Sequence, residues 1–287
     1  MPAFPSRIMC TSAYKNQRFA VVDGYLTHLP AAITHVKNTV PLTPPFIRMA
    51  NVILVTPNEI RTAGGIPGDS GLIVTHTHGG KHLYSERIAE ARDVLTGLVI
   101  AGNSRIVATG KGELLFWNAE RLTWNRVQAH HGPITQLIQL TNVTGEDGGV
   151  ASAGADGRIG IWSHSGANRG YLEGHTLGIN ALQQGDKGTL FSVADDRTIR
   201  IWDTVELRQR RFIRGLRDSG AFLMIGSDNW IHIVDVLGHH YTLDTNLDLT
   251  YQNSFTSRPA LCWHNKDSAQ MLGFFLSGAI EGSDLRR

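Results

Sequence analysis

Two segments of this chain repeat each other at a fixed distance. Val150 to Ser163 reads VASAGADGRIGIWS, and Leu190 to Asp203 reads LFSVADDRTIRIWD. Each holds an apolar strand, a tight turn containing Asp, and a second strand of alternating apolar residues that ends on Trp. Alternation with a period of two marks a half-buried β-strand. Trp162 and Trp202 lie 40 residues apart. A hairpin of this size cannot bury its apolar faces alone. Copies must stack, and a chain written in such copies is a repeat architecture.

The segments ahead of the two hairpins also correspond. Gly174-His175 precedes the second, and Ala129-His130, followed by Gly132-Pro133-Ile134-Thr135, precedes the first. With these elements the chain resembles a divergent member of the WD40-repeat family, whose repeats of about 40–45 residues each supply one four-stranded propeller blade. The resemblance implies two hydrogen-bonded tetrads, His130, Ser152, Asp156, Trp162 and His175, Ser192, Asp196, Trp202. A buried indole N–H and a buried hydroxyl need partners, and His and Asp supply them. The tetrads are therefore expected to be structural, with no catalytic residue among them.

Weaker copies follow from the offset between the turn Asp and the Trp. Asp228 pairs with Val234, Lys111 with Trp117, Asn16 with Val22 (Ser12 at the hydroxyl place) and Asp69 with Thr75, while Asp267 falls before Phe274. Positions 22, 75, 117, 162, 202, 234 and 274 have a mean spacing of about 42, as the repeat class requires. The expectation is an all-β, seven-bladed WD40-like β-propeller spanning 1–287 as one domain. A six-bladed ring with a C-terminal appendage is the alternative. The Pro-rich run VPLTPPFIR, Val40 to Arg48, is expected to be an insertion near 38–50, because Pro is excluded from central strands. The first hairpin, starting near Arg7, is expected to lack an inner strand, with terminal strands closing the ring. Tyr84 to Thr96 reads as a short helix or a charged edge strand.

Composition agrees: 31 Gly and 18% charged residues depart from the usual roughly 7% Gly and about 25% charge, as many turns and buried strands require. The net charge of +2 supplies no basic field for nucleic acid. Cys10 and Cys262 are too few for a disulfide framework or a four-thiolate zinc site. No run approaches the ~18 apolar residues of a membrane span. The N-terminal segment is free of acids up to Asp23 and weakly resembles an organelle transit peptide.

Three motifs look like chemistry. Gly68-Asp69-Ser70-Gly71 resembles the nucleophile loop of trypsin-like proteases, but GDSGLIVTH also aligns without gaps to the repeat hairpin. Asp69 is then a turn residue, and a serine hydrolase using Ser70 is the lesser reading. His76 and His78 share a strand face and, with His82, could meet a metal; an exposed polar hairpin is the plainer reading, so no metal and no cofactor is expected. Arg208, Arg210, Arg211 and Arg214 crowd ELRQRRFIRGLRD, and Trp230 sits in the turn Asp228-Asn229-Trp230. These five are the candidate partner-binding residues, although a solvated outer strand for the arginines and a residue covering the neighbouring blade for Trp230 are the plainer readings. His130-His131 and His239-His240 read as cap, loop or strand residues.

Fold alone does not imply function. The resemblance implies a non-enzymatic scaffold for protein–protein interactions, a subunit of a larger multiprotein or ribonucleoprotein complex. Its partners would be other proteins, with RNA contact secondary and no membrane insertion. The alternative is an adaptor that reads a peptide at the propeller face. The expected location is cytoplasmic, with a mitochondrial or other organellar address left open.

Overall fold

A strand covered on both faces can be apolar at every position, whereas a strand with a free face must expose polar residues. Both kinds recur here in fixed order. A computed structural model describes residues 8–14, 17–22, 25–28, 50–65, 69–79, 81–101, 103–141, 147–186, 188–226, 229–255, 261–265, 270–274 and 280–284. Among them every element is a β-strand, so none of the helices is present that a membrane crossing by helix would need.

The strands form seven sheets among the described residues, each a simple meander. The first holds β1 (Ile8–Tyr14), β2 (Gln17–Val22) and β3 (Tyr25–His28). The second holds β4 (Ala50–Val55), β5 (Ile60–Gly65), β6 (Gly71–His76) and β7 (His82–Ile88). Next come β8 (Leu95–Ala101), β9 (Ser104–Thr109), β10 (Glu113–Asn118) and β11 (Thr123–Gln128). The fourth sheet holds β12 (Ile134–Thr141), β13 (Asp147–Gly154), β14 (Ile159–Trp162) and β15 (Asn168–Leu172). The fifth holds β16 (Ile179–Gln184), β17 (Thr189–Ala194), β18 (Thr198–Asp203) and β19 (Arg208–Arg214). The sixth holds β20 (Gly220–Ile225), β21 (Ile231–Asp235), β22 (His239–Leu243) and β23 (Leu249–Ser254). The last holds β24 (Leu261–Asn265), β25 (Gln270–Phe274) and β26 (Ile280–Asp284).

The first strand of each sheet lies beside the first strand of the next, and β24 lies beside both β20 and β1. These inner strands therefore follow one another in a closed circle. β1 occupies an inner place, contrary to the expectation that the first sheet lacks one. The last sheet joins the circle rather than standing apart as an appendage. Residues 84–88 belong to the outer strand β7, not to a helix. The Pro-rich run and the turn residues Asn16, Asp228 and Asp267 lie outside the described residues.

The core is a series of interfaces, each shared by two neighbouring sheets. Phe116 and Ile106 of the third sheet pack on Trp162 and Val150 of the fourth. Ile161 and Leu172 of the fourth pack on Trp202 and Leu190 of the fifth. Ile199 and Val193 of the fifth pack on Ile233 and Tyr241 of the sixth. The middle strands are thus covered on both sides, and β14 is buried along its whole length. β19, at the outside, is exposed at all but one position.

Three markers fall on a different strand from the one expected. Thr75, Trp117, Trp162 and Trp202 lie on the third strand of their sheets, but Val22, Val234 and Phe274 lie on the second. In the sixth sheet the hairpin SDNWIHIVD joins the first and second strands. The turn equivalent to those of the strong repeats is Asp235 to Gly238, where Gly238 N–H bonds Asp235 C=O at 3.0 Å. An Asx-type turn before an alternating strand describes both hairpins of such a sheet, so local pattern alone cannot separate them.

Candidate functional site

The two tetrads are complete. Trp162 Nε1–H donates to Ser152 Oγ at 3.0 Å, and Ser152 Oγ lies 2.8 Å from His130 Nε2. His130 Nδ1 lies 3.0 Å from Asp156 Oδ1, which also accepts the Arg158 amide at 3.1 Å. The second copy repeats these contacts. Trp202 Nε1–H donates to Ser192 Oγ at 2.8 Å, Ser192 Oγ lies 2.7 Å from His175 Nε2, and His175 Nδ1 lies 2.9 Å from Asp196 Oδ2. The partners define the tautomer: Nδ1–H donates to the carboxylate, while Nε2 accepts the Ser proton.

Electrostatics points the same way. Burial is the largest influence on His130 and His175, and it holds both below the usual 6.5 against the pull of their carboxylates. Burial presses Asp156 and Asp196 upward, but the amides, hydroxyl and imidazole around them outweigh it and hold both below 3.8. Each pair is therefore a neutral imidazole on a carboxylate. The serines spend their protons on a histidine while accepting from an indole, in a place without solvent access.

The other sheets depart from the tetrad in a consistent way. Leu216, Ile233 and Leu243 take the places of His175, Ser192 and Trp202 in the sixth sheet, all within one apolar cluster. Asp235 accepts the amides of Leu237 at 3.0 Å and His239 at 2.9 Å, lies 2.7 Å from His239 Nδ1, and accepts Tyr241 O–H at 3.1 Å. Tyr241 Oη in turn accepts the Arg217 amide at 3.0 Å. In the third sheet, Ala91 and Val107 fill the His and Ser places within another apolar cluster. Trp117 is instead half-exposed beside Trp124, with Arg105 4.3 Å from its ring and paired to Glu86 of the preceding sheet. Neither arrangement was visible from offsets, because the polar markers are absent.

The motifs that resemble chemistry are placed as follows. Asp69 and Ser70 lie in the turn between β5 and β6, and Asp69 faces Arg87 at 3.7 Å. His76 is fully buried, and neither ring nitrogen has a hydrogen-bond partner among the described residues. Burial, with the nearby His82, lowers its pKa to about 4. His78 Nε2 lies 2.8 Å from the Thr56 carbonyl, and His82 Nε2 lies 2.8 Å from Ser85 Oγ. The described residues hold no metal-binding group of three or more such ligands.

The candidate partner-binding residues separate into four environments. Arg210 is tied to Asp203 through Nε at 3.1 Å and Nη2 at 2.7 Å, and Arg208 is paired with Glu206. Amides and this guanidinium lower the Asp203 pKa to about 2. Arg211 reaches the Asn246 carbonyl of the sixth sheet at 3.0 Å. Arg214 lies over Phe212. Trp230, 38% exposed, sits between β20 and β21, at the opposite rim from the turns that hold Arg158 and Thr198.

Residues 166–203 match the family model described as WD domain, G-beta repeat. The matched segment begins before β15 and ends with β18, so the sequence repeat runs out of phase with the sheets and ties one to the next. Among solved structures, the computationally designed Ika8 protein is similar, with a TM-score of 0.73 and 19% identity over 99% of this chain and 86% of that one. The WD40 beta propeller domain of Doa1 also has a TM-score of 0.73, with 12% identity over 98% of this chain and 94% of that one. No curated protein matches. The repeat at 166–203, the two complete tetrads and the circle of antiparallel sheets give this chain the fold of a WD40-type β-propeller.

Proposed function

We propose that the protein is a non-enzymatic platform for protein–protein contacts, one propeller along the chain, and a subunit of a larger assembly. The observation that carries this reading is the fate of the polar residues that resemble chemistry. The Ser-His-Asp sets lie buried inside the sheets with their hydrogen bonds met. Exposed aromatic and cationic residues gather instead on turns and outer strands, where Phe212, Trp230 and Tyr251 stand clear of the core. Exposed aromatics and arginines are the residue types that anchor interfaces.

Mass spectrometry of material that co-purifies with the tagged protein tests this. Stoichiometric protein partners that persist in salt are expected. A monomer without partners that is labelled by a serine-directed fluorophosphonate, with labelling lost in Ser70→Ala, would replace the platform by the hydrolase.

A second reading, a peptide-reading adaptor, has its own support. A cavity of about 360 Å³ lies along β12 and β16, lined by Gln136, Gln139, Gln183, Gln184 and Asp186. Side-chain amides can pair with a peptide backbone. Three of these are already engaged: Gln136 Oε1 accepts the Leu182 amide at 2.5 Å, Gln184 Nε2 donates to the Thr141 carbonyl at 2.6 Å, and Gln183 Nε2 donates to the Gln184 carbonyl at 3.2 Å. Calorimetric titration against peptide libraries decides between the readings. Binding lost in Gln183→Ala favours the adaptor, and no binding favours the platform alone.

A further inference from the structure

The fourth and fifth sheets carry the same rim feature with one difference of charge. In the fourth, the Arg158 guanidinium lies 3.9 Å from the Tyr171 ring and pairs with Glu173 at 2.8 Å. Tyr171 opposes Gly160 in the ladder, and Phe212 opposes Arg200, two residues before each Trp. Both outer strands carry a bulge opposite that Trp. Counted on this register, Phe212 stands where Tyr171 stands, and Arg214 stands where Glu173 stands. A guanidinium again covers the ring, supplied now by Arg200 at 4.6 Å, and Arg214 lies over the same ring at 4.9 Å. The carboxylate that closes the arrangement in one sheet is replaced by a second cation in the next.

Neither Arg200 nor Arg214 forms an ion pair among the described residues. Among the described residues the one side-chain acceptor on Arg200 is the neutral Gln209 Oε1. Asp196 draws on Arg200 from a distance while already holding His175 and Thr198. At the other end of β19, Arg208 and Arg210 are closed by Glu206 and Asp203. Uncompensated charge is therefore concentrated where the strand ends, beside an apolar ring. The outer edge of β19 has no strand partner among the described residues, so its amides and carbonyls remain available to an added strand.

We infer that Arg200, Phe212 and Arg214 form a clamp for a carboxylate side chain on an extended acidic segment of a protein partner, which takes the place that Glu173 fills in the preceding sheet. The segment lies along the free edge of β19. Main-chain bonds supply affinity, and the clamp supplies register. A nucleic-acid backbone would need cations spread along a track, whereas the strand neutralises half of its own. The inference rests on the platform reading and names the chemistry of one partner.

Fluorescence anisotropy on the whole protein tests it, with a labelled peptide of alternating Glu and Val as the probe and a Gln-Val peptide as control. Binding of the Glu-Val peptide alone is expected. Arg214→Glu rebuilds the Glu173 arrangement within the chain. It should therefore keep the thermal midpoint at or above the parent's while weakening the peptide by about tenfold or more, the effect of one charged contact. Arg121→Glu, in the exposed turn between β10 and β11 of the third sheet, changes net charge equally but should leave affinity nearly unchanged. Phe212→Leu keeps an apolar residue in the strand and should weaken binding, which serves as the second variant should Arg214→Glu fold poorly. Equal losses in the two Arg variants, no binding of the Glu-Val peptide, or its displacement by oligouridylate at lower concentration would each overturn the clamp. A protein that co-purifies with partners yet ignores the peptide overturns the clamp and leaves the platform standing.

Discussion

The hydroxyl of Ser192 accepts from Trp202 Nε1 and donates to His175, so one atom links three buried groups. Ser192→Ala strands an indole N–H and an imidazole nitrogen in the core. Urea denaturation should report a loss of about 1–3 kcal/mol, and no loss would mean that the network is incidental. The same residues contribute to the acid response, beside the buried His76. His130 and His175 lie below 6.5 in the fold and return to about 6.5 when the chain unfolds. The unfolded chain then binds more protons as the pH falls through that value. Their contribution is full above 6.5 and declines below it. Asp156 and Asp196, held below 3.8, add a second loss as the pH falls through 3.8 and on through their lower folded values. Thermal midpoints should be level on the alkaline side and fall in two stages. A midpoint that rose on acidification through 6.5 would contradict neutral histidines.

At the scale of the element, the tight turns between second and third strands show two solutions to one backbone demand. Gly157 takes φ +79°, and a Cβ there would meet the His175 carbonyl oxygen at 2.9 Å and that of Leu177 at 3.0 Å. Arg197 takes φ +62° at the equivalent place, without glycine's freedom. Left-handed backbone strains residues that carry a Cβ. Gly157→Ala should cost about 1–3 kcal/mol, and Arg197→Gly should gain about 1 kcal/mol. Chemical denaturation of the pair checks both signs.

At the scale of the molecule, stability resides in interfaces between successive sheets, and each sheet depends on two neighbours. β24 stands between β20 and β1 and so brings the two ends of the chain together. Truncation of residues 256–287 should expose a face on each side of the gap. The expected result is a lower thermal midpoint with concentration-dependent self-association in analytical ultracentrifugation. An unchanged midpoint and a monomeric species would show that the last sheet adds nothing to the circle.

Much of this was legible where the information is local. The hairpins ending on Trp162 and Trp202 announce their strands by alternation, their turns by Asp, and their burial by the His and Ser set at fixed offsets. Those signals act within one repeat. The sixth sheet shows where they stop: with Leu216, Ile233 and Leu243 at the tetrad places, nothing polar marks the third strand, and the offset falls on Val234 of the second strand instead. The Asp235–Tyr241 network and the Arg105–Trp117 contact were hidden for the same reason. The clamp at Phe212 depends on which residue opposes which across β18 and β19, and its meaning appears only beside Arg158, Tyr171 and Glu173 in the next sheet. Short-range alternation and spacing were enough to specify the strands and the repeat. Strand register, the pairing of one sheet with another, and the meeting of β1 with β24 were decided by packing between residues far apart in the chain, which no local pattern encodes.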